Sequence, residues 1–416
     1  MKTEYFKEQL YTLLEFTEII NSTLDINDLM NIVMDKAKSE LEAEACSILF
    51  YNDKTNKLEF EIAICNNQDT CETLKKKISI ELGQGIAGWT ALNKEPLYIE
   101  DVRNDKRFYS DADKITGFIT KSIIAVPLIG RRGLIGVAEI INPERTNYDK
   151  DIFVALCKQF AIAIENALLY KESLERERLK HELEIASSIQ KSFLPDRPVF
   201  TKKDFFIKAV NIPAYMIGGD LYDFVDLSND KVDFIIGDIS GKGISAALYM
   251  AKLISDFRHI SVLNNSVTAT IAHMNNIVNN APMGMFITAI YMSCNVSKGH
   301  IEYINAGHLP FLKIGVDGVV NVIDEISGPP LGVMEYEYQP LTIELQKGEA
   351  LLLITDGVID ATGMEGKHFG FNRLLDFVKK HHSSDRLLEL LIEDINVYSR
   401  GFQRNDDITI LELRRL

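Results

Sequence analysis

Gly218-Gly219-Asp220-Leu221-Tyr222-Asp223-Phe224-Val225-Asp226-Leu227-Ser228-Asn229-Asp230-Lys231-Val232-Asp233-Phe234-Ile235-Ile236-Gly237-Asp238-Ile239-Ser240-Gly241-Lys242-Gly243 is the stretch around which this chain is organised. Its pattern is that of a hairpin. Leu221–Leu227 predicts one strand, Val232–Gly237 a second and more apolar one, and Ser228-Asn229-Asp230 has turn composition. A turn centred on Asn229 sets Asp220 opposite Asp238, since each lies nine positions from it. Directly paired residues share a sheet face, with Cβ atoms about 4.5–5.5 Å apart. Carboxylates that close repel, and neither readily stays ionised. A divalent cation between them resolves the conflict. So does solvent, if the hairpin simply lies at the surface. The stretch alone leaves both readings open.

The totals narrow the choice. At 416 residues the chain is too long for one core, so two or three domains are expected. A net charge of −15 argues against nucleic acid and against an anionic membrane surface, both of which select for Lys and Arg. The five cysteines (Cys46, Cys65, Cys71, Cys157 and Cys294) are scattered and odd in number. Without CxxC spacing they suggest neither a zinc site nor a disulfide framework, and a reduced cytoplasmic compartment follows. The N-terminus has no uninterrupted apolar stretch of the signal-peptide kind. No uncharged apolar run approaches the ~20 residues that cross a bilayer.

In the first part of the chain, residues 4–22 and a stretch capped by Asp25 or Asn27 have helical periodicity. The period then changes. Ala45–Tyr51, Leu58–Cys65, Leu97–Val102, Ser122–Ile129 and Leu134–Ile141 predict strands, and a glycine-punctuated loop at 82–89 runs into a short helix. Several pieces, in order, resemble a GAF domain: Gly83-Gln84-Gly85-Ile86-Ala87-Gly88-Trp89, Pro96–Val102, Asp105-Lys106-Arg107-Phe108, Gly117–Ser122, and Val126-Pro127-Leu128 followed by Gly133–Val137. The resemblance implies a sensor fold with a ligand pocket against its sheet. The Asn-Lys-Phe-Asp-Glu pattern of cyclic-nucleotide GAF domains is broken: Pro143 follows Asn142, and only Tyr148 and Asp151 echo the remainder. The signal is thus left as an unknown small molecule or protein, with a purely dimerising module as the alternative.

From Asp151 to Leu194 the apolar positions keep a helical period while the middle, 171–182, is dense in mixed charge. Such a helix predicts a two-stranded coiled coil that joins domains in a homodimer through residues 151–195. Pro195 and Pro198 end it. Beyond them the chain is strand-rich without βαβ alternation, which predicts antiparallel sheets with flanking helices. The domains expected are 1–150, 151–197 and 198–416.

Two further carboxylates occupy positions like the first pair. Leu351-Leu352-Leu353-Ile354-Thr355 is an apolar strand that ends in Asp356-Gly357, and Asp406-Asp407 opens the strand Ile408-Thr409-Ile410-Leu411. An ionised Asp at the mouth of a buried strand needs a partner. Asp220, Asp238, Asp356 and Asp406 therefore form a candidate oxygen-only ligand set, which selects Mg²⁺ or Mn²⁺. Several shared carboxylates suggest two metals, able to activate a bridging water and clamp a phosphoryl group.

Residues from about 200 to 416 resemble the metal-dependent protein phosphatases (PPM, protein phosphatase 2C-like), in the branch called SpoIIE/RsbU-type. The resemblance rests on Gly218–Phe224, Gly237–Ala247, Met285–Ala289, Asn305-Ala306-Gly307-His308-Leu309-Pro310, Pro330-Leu331-Gly332, Thr355-Asp356-Gly357-Val358 and Asp406-Asp407-Ile408-Thr409. The stretch 182–195 is similar to the regulatory helix that precedes this catalytic domain. The fold implied is α+β: a GAF sensor domain, a long coiled-coil linker helix, then a PPM-type α/β sandwich of two antiparallel sheets flanked by helices. The resemblance implies a protein-serine/threonine phosphatase with two Mn²⁺ or Mg²⁺ ions. Asp238 would bridge both, Asp220 would hold one, Asp356 and Asp406 the other, and the Ile239 carbonyl would add a backbone ligand. Asp223 has the wrong strand parity to share the face of Asp220, and Asp407 should point away from Asp406. Lys242 and Arg404 are candidates for phosphate binding only by charge, and His308 suits a structural hydrogen bond better than proton transfer. The implied substrate is a phosphorylated STAS-type anti-sigma-factor antagonist. A rival likeness, of 218–222 to the Gly-Gly-Asp-Glu-Phe signature of diguanylate cyclases, puts Leu221 where Glu belongs and leaves Asp356 and Asp406 without a role. A silent phosphoprotein-binding module is the other rival, and the intact set of carboxylates argues against it.

Overall fold

The computed structural model describes residues 25–64, 78–110, 113–114, 117–144, 150–227, 230–264, 266–281, 284–364 and 366–416. It falls into two compact units that divide between Arg178 and Leu179. The helix expected over 4–22 and the tip of the central hairpin, Ser228-Asn229, lie outside the described residues.

The first unit is built on one antiparallel sheet. Its strands are β1 (Ala43–Asn52), β2 (Lys57–Ile64), β3 (Ser79–Glu81), β4 (Leu97–Ile99), β5 (Ile123–Gly130) and β6 (Gly133–Pro143), in the order β3-β2-β1-β6-β5-β4. Helix α1 (Ile26–Glu40) is capped by the Asp25 carboxylate, which accepts from the Asn27 and Asp28 amides. Its buried stripe Leu29, Met30, Val33, Met34 and Ala37 covers one sheet face together with Leu156, Phe160 and Ile164. These last three belong to a helix that runs unbroken for 44 residues, α3 (Lys150–Phe193). The short helix α2 (Gly85–Asn93) packs on the other face with Leu49, Leu58, Ile80 and Val137.

The second unit is a sandwich. One sheet runs β15-β12-β11-β10-β9, from β9 (Leu221–Leu227), β10 (Lys231–Ile239), β11 (Ile287–Asn295), β12 (His300–Ala306) and β15 (Leu341–Glu344). The other runs β14-β13-β16-β17-β8-β7, from β7 (Val199–Lys202), β8 (Phe205–Ile212), β13 (Phe311–Ile314), β14 (Val320–Ile323), β16 (Ala350–Ile354) and β17 (Ile408–Arg415). All named pairings are antiparallel. Tyr222, Phe234, Ile236 and Met292 meet Phe205, Leu351, Leu353 and Leu411 between the sheets. Helices α4 (Ile244–Leu263) and α5 (Val267–Asn279) cover the first sheet. The second is covered by α7 (Phe371–His381) and α8 (Leu387–Tyr398), and a one-turn helix α6 (Asp356–Ile359) follows β16.

The strands alternate as sheet geometry requires. On β9 and β10, Leu221, Ile235 and Ile239 face α4 and α5, while Tyr222, Phe234 and Ile236 face the opposite sheet. The register pairs Lys231 with Leu227 and Gly237 with Leu221. One step further along the same register, Asp220 stands beside Asp238 on the inter-sheet face.

Candidate metal centre

Asp220, Asp238, Asp356 and Asp406 all reach the same end of the sandwich, each by a different local device. Asp238 is the penultimate residue of β10. Asp220 sits just before β9, in a turn that two glycines make possible. A Cβ on Gly218 would lie 2.5 Å from the Asp407 carboxylate, and one on Gly219 would lie 3.4 Å from the Ile239 carbonyl and 3.8 Å from Asp238 Oδ1. The Ile239 carbonyl and the Asp238 carboxylate thus face the same space. Asp356 does not end a strand, as the sequence suggested, but opens α6 two residues beyond it, after Thr355. Asp406 precedes β17 by two residues, with Asp407 between them.

The site is crowded with negative charge. Burial first, and then Asp356 and Asp406, push the Asp238 carboxyl above the usual range. Burial and Asp238 do the same to Asp220, and burial and Asp406 to Asp356. Asp220 is almost wholly enclosed, and its Oδ2 accepts from the hydroxyls of Thr355 at 2.7 Å and Thr409 at 2.6 Å. Lys242 donates to Asp406 Oδ2 at 2.8 Å and to the Asn405 carbonyl at 2.8 Å. That contact raises the Lys242 ammonium above its ordinary value. Among the described residues no three Asp, Glu, His or Cys side chains are drawn tightly enough together to chelate an ion as they stand. The donor set still fits a hard cation: all ligand atoms are oxygens, like charges face one another, and Asp238, Asp406, Lys242 and Tyr215 line a small cleft.

The other candidates go elsewhere. Asp223 points to the helix side, where Arg258 Nε donates to it at 2.6 Å. Burial outweighs that pairing and leaves its carboxyl raised. Arg404 turns away to the Asn396 side chain at 2.7 Å. His308 is buried: Nε2 donates to the Ile354 carbonyl at 3.1 Å, which leaves Nδ1 to accept from the Thr288 hydroxyl at 2.9 Å. Desolvation lowers its imidazole to about 4, so it stays neutral.

Three supporting roles were not read from sequence. Asp407 lines the same cleft as Asp406, and its carboxylate accepts from the Ala214 amide at 2.7 Å and the Gly219 amide at 2.6 Å. It thereby fixes the turn that presents Asp220. Thr355 and Thr409 stood in the quoted motifs without a function. Gln190, near the end of α3, pairs with Gly218 through both backbone groups, donating to its carbonyl at 2.6 Å and accepting from its amide at 3.2 Å. Arg258 extends this contact, donating to the Phe193 carbonyl at 2.7 Å.

An antiparallel sandwich with carboxylates converging at one end defines the class of PPM-type phosphatase folds. Residues 25–164 match the model of the GAF domain, and residues 228–416 match that of stage II sporulation protein E (SpoIIE). The chain carries an N-terminal GAF domain and a C-terminal SpoIIE-type PPM phosphatase domain. It is 28% identical over 276 residues to phosphoserine phosphatase RsbU of Bacillus subtilis, covering 64% of this chain and 81% of that one. It is 29% identical over 241 residues to phosphoserine phosphatase RsbP of the same organism, covering 55% of this chain and 56% of that one. In fold, the PP2C domain of SiaA from Pseudomonas aeruginosa is similar at a TM-score of 0.51 and 22% identity, over 58% of this chain and 98% of that one. Among the described residues no helix is long and apolar enough to cross a membrane.

Proposed function

We propose that this chain is a metal-dependent protein-serine/threonine phosphatase under control of its GAF domain, with the division 1–150, 151–197 and 198–416. The observation that carries the reading is the convergence of Asp220, Asp238, Asp356 and Asp406 at one end of the sandwich. Asp238 and Asp406 line the cleft, and these two with Asp220, Asp356 and the Ile239 carbonyl would hold two Mn²⁺ or Mg²⁺ ions. Such ions, when bound, supply a water of lowered pKa and positive charge for a phosphoryl group. The chain's own part is to orient. Thr355 and Thr409 fix Asp220, Asp407 fixes the turn before it, and Lys242 brings a positive charge to the mouth. The relatives named phosphoserine phosphatases support phosphoserine or phosphothreonine on a protein as substrate, and a STAS-type anti-sigma-factor antagonist is the specific partner proposed. A cytoplasmic setting accords with the free, buried thiols of Cys46, Cys157 and Cys294.

The contacts of Gln190 and Arg258 support regulation through α3. A shift of this helix would act directly on Gly218, two residues from Asp220. Replacement of Asp238 or Asp356 by Asn is expected to abolish Mn²⁺-dependent release of phosphate from a phosphoserine protein. Full retained activity in either variant would refute the assignment.

A further inference from the structure

A row of residues crosses the first sheet on the face toward α2. Ala63 on β2, Ser47 on β1, Glu139 on β6 and Ala125 on β5 stand side by side in register. Three of the four are small, so the sheet surface sinks there. Phe60, Ile80, Ile86, Phe108 and Ile141 wall the hollow. The cavity has a volume of about 90 Å³, a close fit for a short branched chain, enough for a single ring only if the walls give slightly, since a benzene-binding cavity measures about 150 Å³, and far too little for a nucleotide.

Glu139 lies at the floor, 6% exposed. Its hydrogen bond among the described residues comes from the Ser47 hydroxyl, which donates to Oε2 at 3.0 Å. Burial raises its carboxyl to about 7. A second carboxylate on the wall, Asp113, is already engaged by the Thr120 amide at 2.9 Å and hydroxyl at 2.7 Å. The described lining residues include no Lys, Arg or His. A buried carboxyl that has, among the described residues, one neutral partner and no cation is a costly arrangement, relieved when a donor of positive charge arrives.

We propose that this cavity binds a small protonated amine with an apolar body, whose ammonium donates to the Glu139 carboxylate while its ring or branched chain packs among Phe60, Ile86 and Ile141. A bare metal ion finds too few oxygens among these apolar walls. A neutral hydrocarbon leaves the carboxyl unanswered, and an anion is repelled by Glu139 and Asp113. The proposal deepens the sensor role given to the GAF domain above. It does not require the C-terminal domain to be a phosphatase.

The test uses the full chain, with calorimetry and the fluorescence of Trp89, the only tryptophan, which lies on α2 two residues from the lining residue Ala87. Three one-ring probes separate the chemistries at neutral pH: benzylamine, a cation; aniline, a neutral N–H donor; and toluene, neither. Saturable binding of benzylamine is expected, with aniline weaker by about tenfold or more and toluene weaker still. Glu139→Gln should weaken benzylamine by about 10- to 100-fold. Toluene or aniline binding as tightly as benzylamine, an unchanged affinity in Glu139→Gln, or no saturable response to any probe would each overturn the proposal. If Glu139→Gln fails to fold, the ranking of the probes on the native chain decides. The same ranking is expected in the Asp238→Asn chain, so an inactive phosphatase and an empty sensor pocket give different results.

Discussion

Asp407 shows how a residue that anchors backbone can govern a site. Two backbone amides, the part-buried one of Ala214 and the buried one of Gly219, end on its carboxylate. Each buried donor left unpaired costs about 1–3 kcal/mol. Asp407→Ala should therefore destabilise the chain by about 2–4 kcal/mol in urea denaturation and lower phosphatase activity with it, while Asp407→Asn, which keeps an acceptor oxygen, should lose less. His308 gives a prediction in pH. Its imidazole titrates near 4 in the folded chain against an ordinary 6.5. Above 6.5 both states are neutral and its contribution is fully present. As pH falls through the interval, the unfolded chain takes up a proton that the folded chain refuses, so stability falls, by about 3 kcal/mol once pH is below 4. Denaturant titrations should show this slope between pH 4 and 6.5 in the native chain and its loss in His308→Gln. At this scale the sequence is legible only for what local pattern dictates. Strand parity correctly sends Asp223 to the helix side. The hydroxyls of Thr355 and Thr409 bind Asp220 across separations of 135 and 189 residues. No local pattern announces such contacts.

Among elements, the long and periodic ones follow from sequence. The strands expected at Ala45–Tyr51, Ser122–Ile129 and Leu221–Leu227 fall within a residue or two at Ala43–Asn52, Ile123–Gly130 and Leu221–Leu227. Ser79–Glu81, Val199–Lys202 and Asp356–Ile359 do not, because three or four residues are too few to show a period. The last of these omissions matters, since α6 sets where Asp356 points. At the other edge of the site, α3 ends in a contact whose role needs the fold to be seen. Gln190 mimics a strand partner for Gly218, meeting both its amide and its carbonyl. Truncation in Gln190→Ala unpairs both groups and frees the turn that carries Asp220. Turnover on a phosphoserine protein should fall by about tenfold or more while KM changes little, as expected for a lost positioning contact. An unchanged turnover would separate α3 from the site.

At the scale of the whole molecule, α3 leaves an apolar stripe without cover. Leu168, Leu174, Leu179, Ile185 and Ile189 are all more than 40% exposed in the single chain. Glu172 and Arg176 pair at 2.7 Å along the helix, and Glu175 and Glu182 fall at the heptad positions of Leu168 and Ile189, so the stripe is apolar at its two ends and charged in its middle. Mixed charge beside an apolar seam is what a two-stranded coiled coil requires. Over about 40 residues such a pair would run roughly 60 Å. The periodicity of residues 151–194 was legible in sequence; the pairing of β8 with β17, two strands separated by most of the second unit, was not. Two copies of α3 packed along this seam would carry Gln190 of each chain at the end of one shared rod, where Arg258 of α4 donates to the Phe193 carbonyl. Light scattering should then give twice the 47.0 kDa mass of the chain. Leu174→Lys combined with Leu179→Lys, which puts charge into the seam and leaves every contact of Gln190 in place, should give the single-chain mass. If the rod transmits the sensor's state, the same double variant should also erase the difference in turnover between the full chain and a chain lacking residues 1–165. A monomeric native chain would remove the seam from the mechanism, and a dimer that survives both substitutions would move the interface elsewhere.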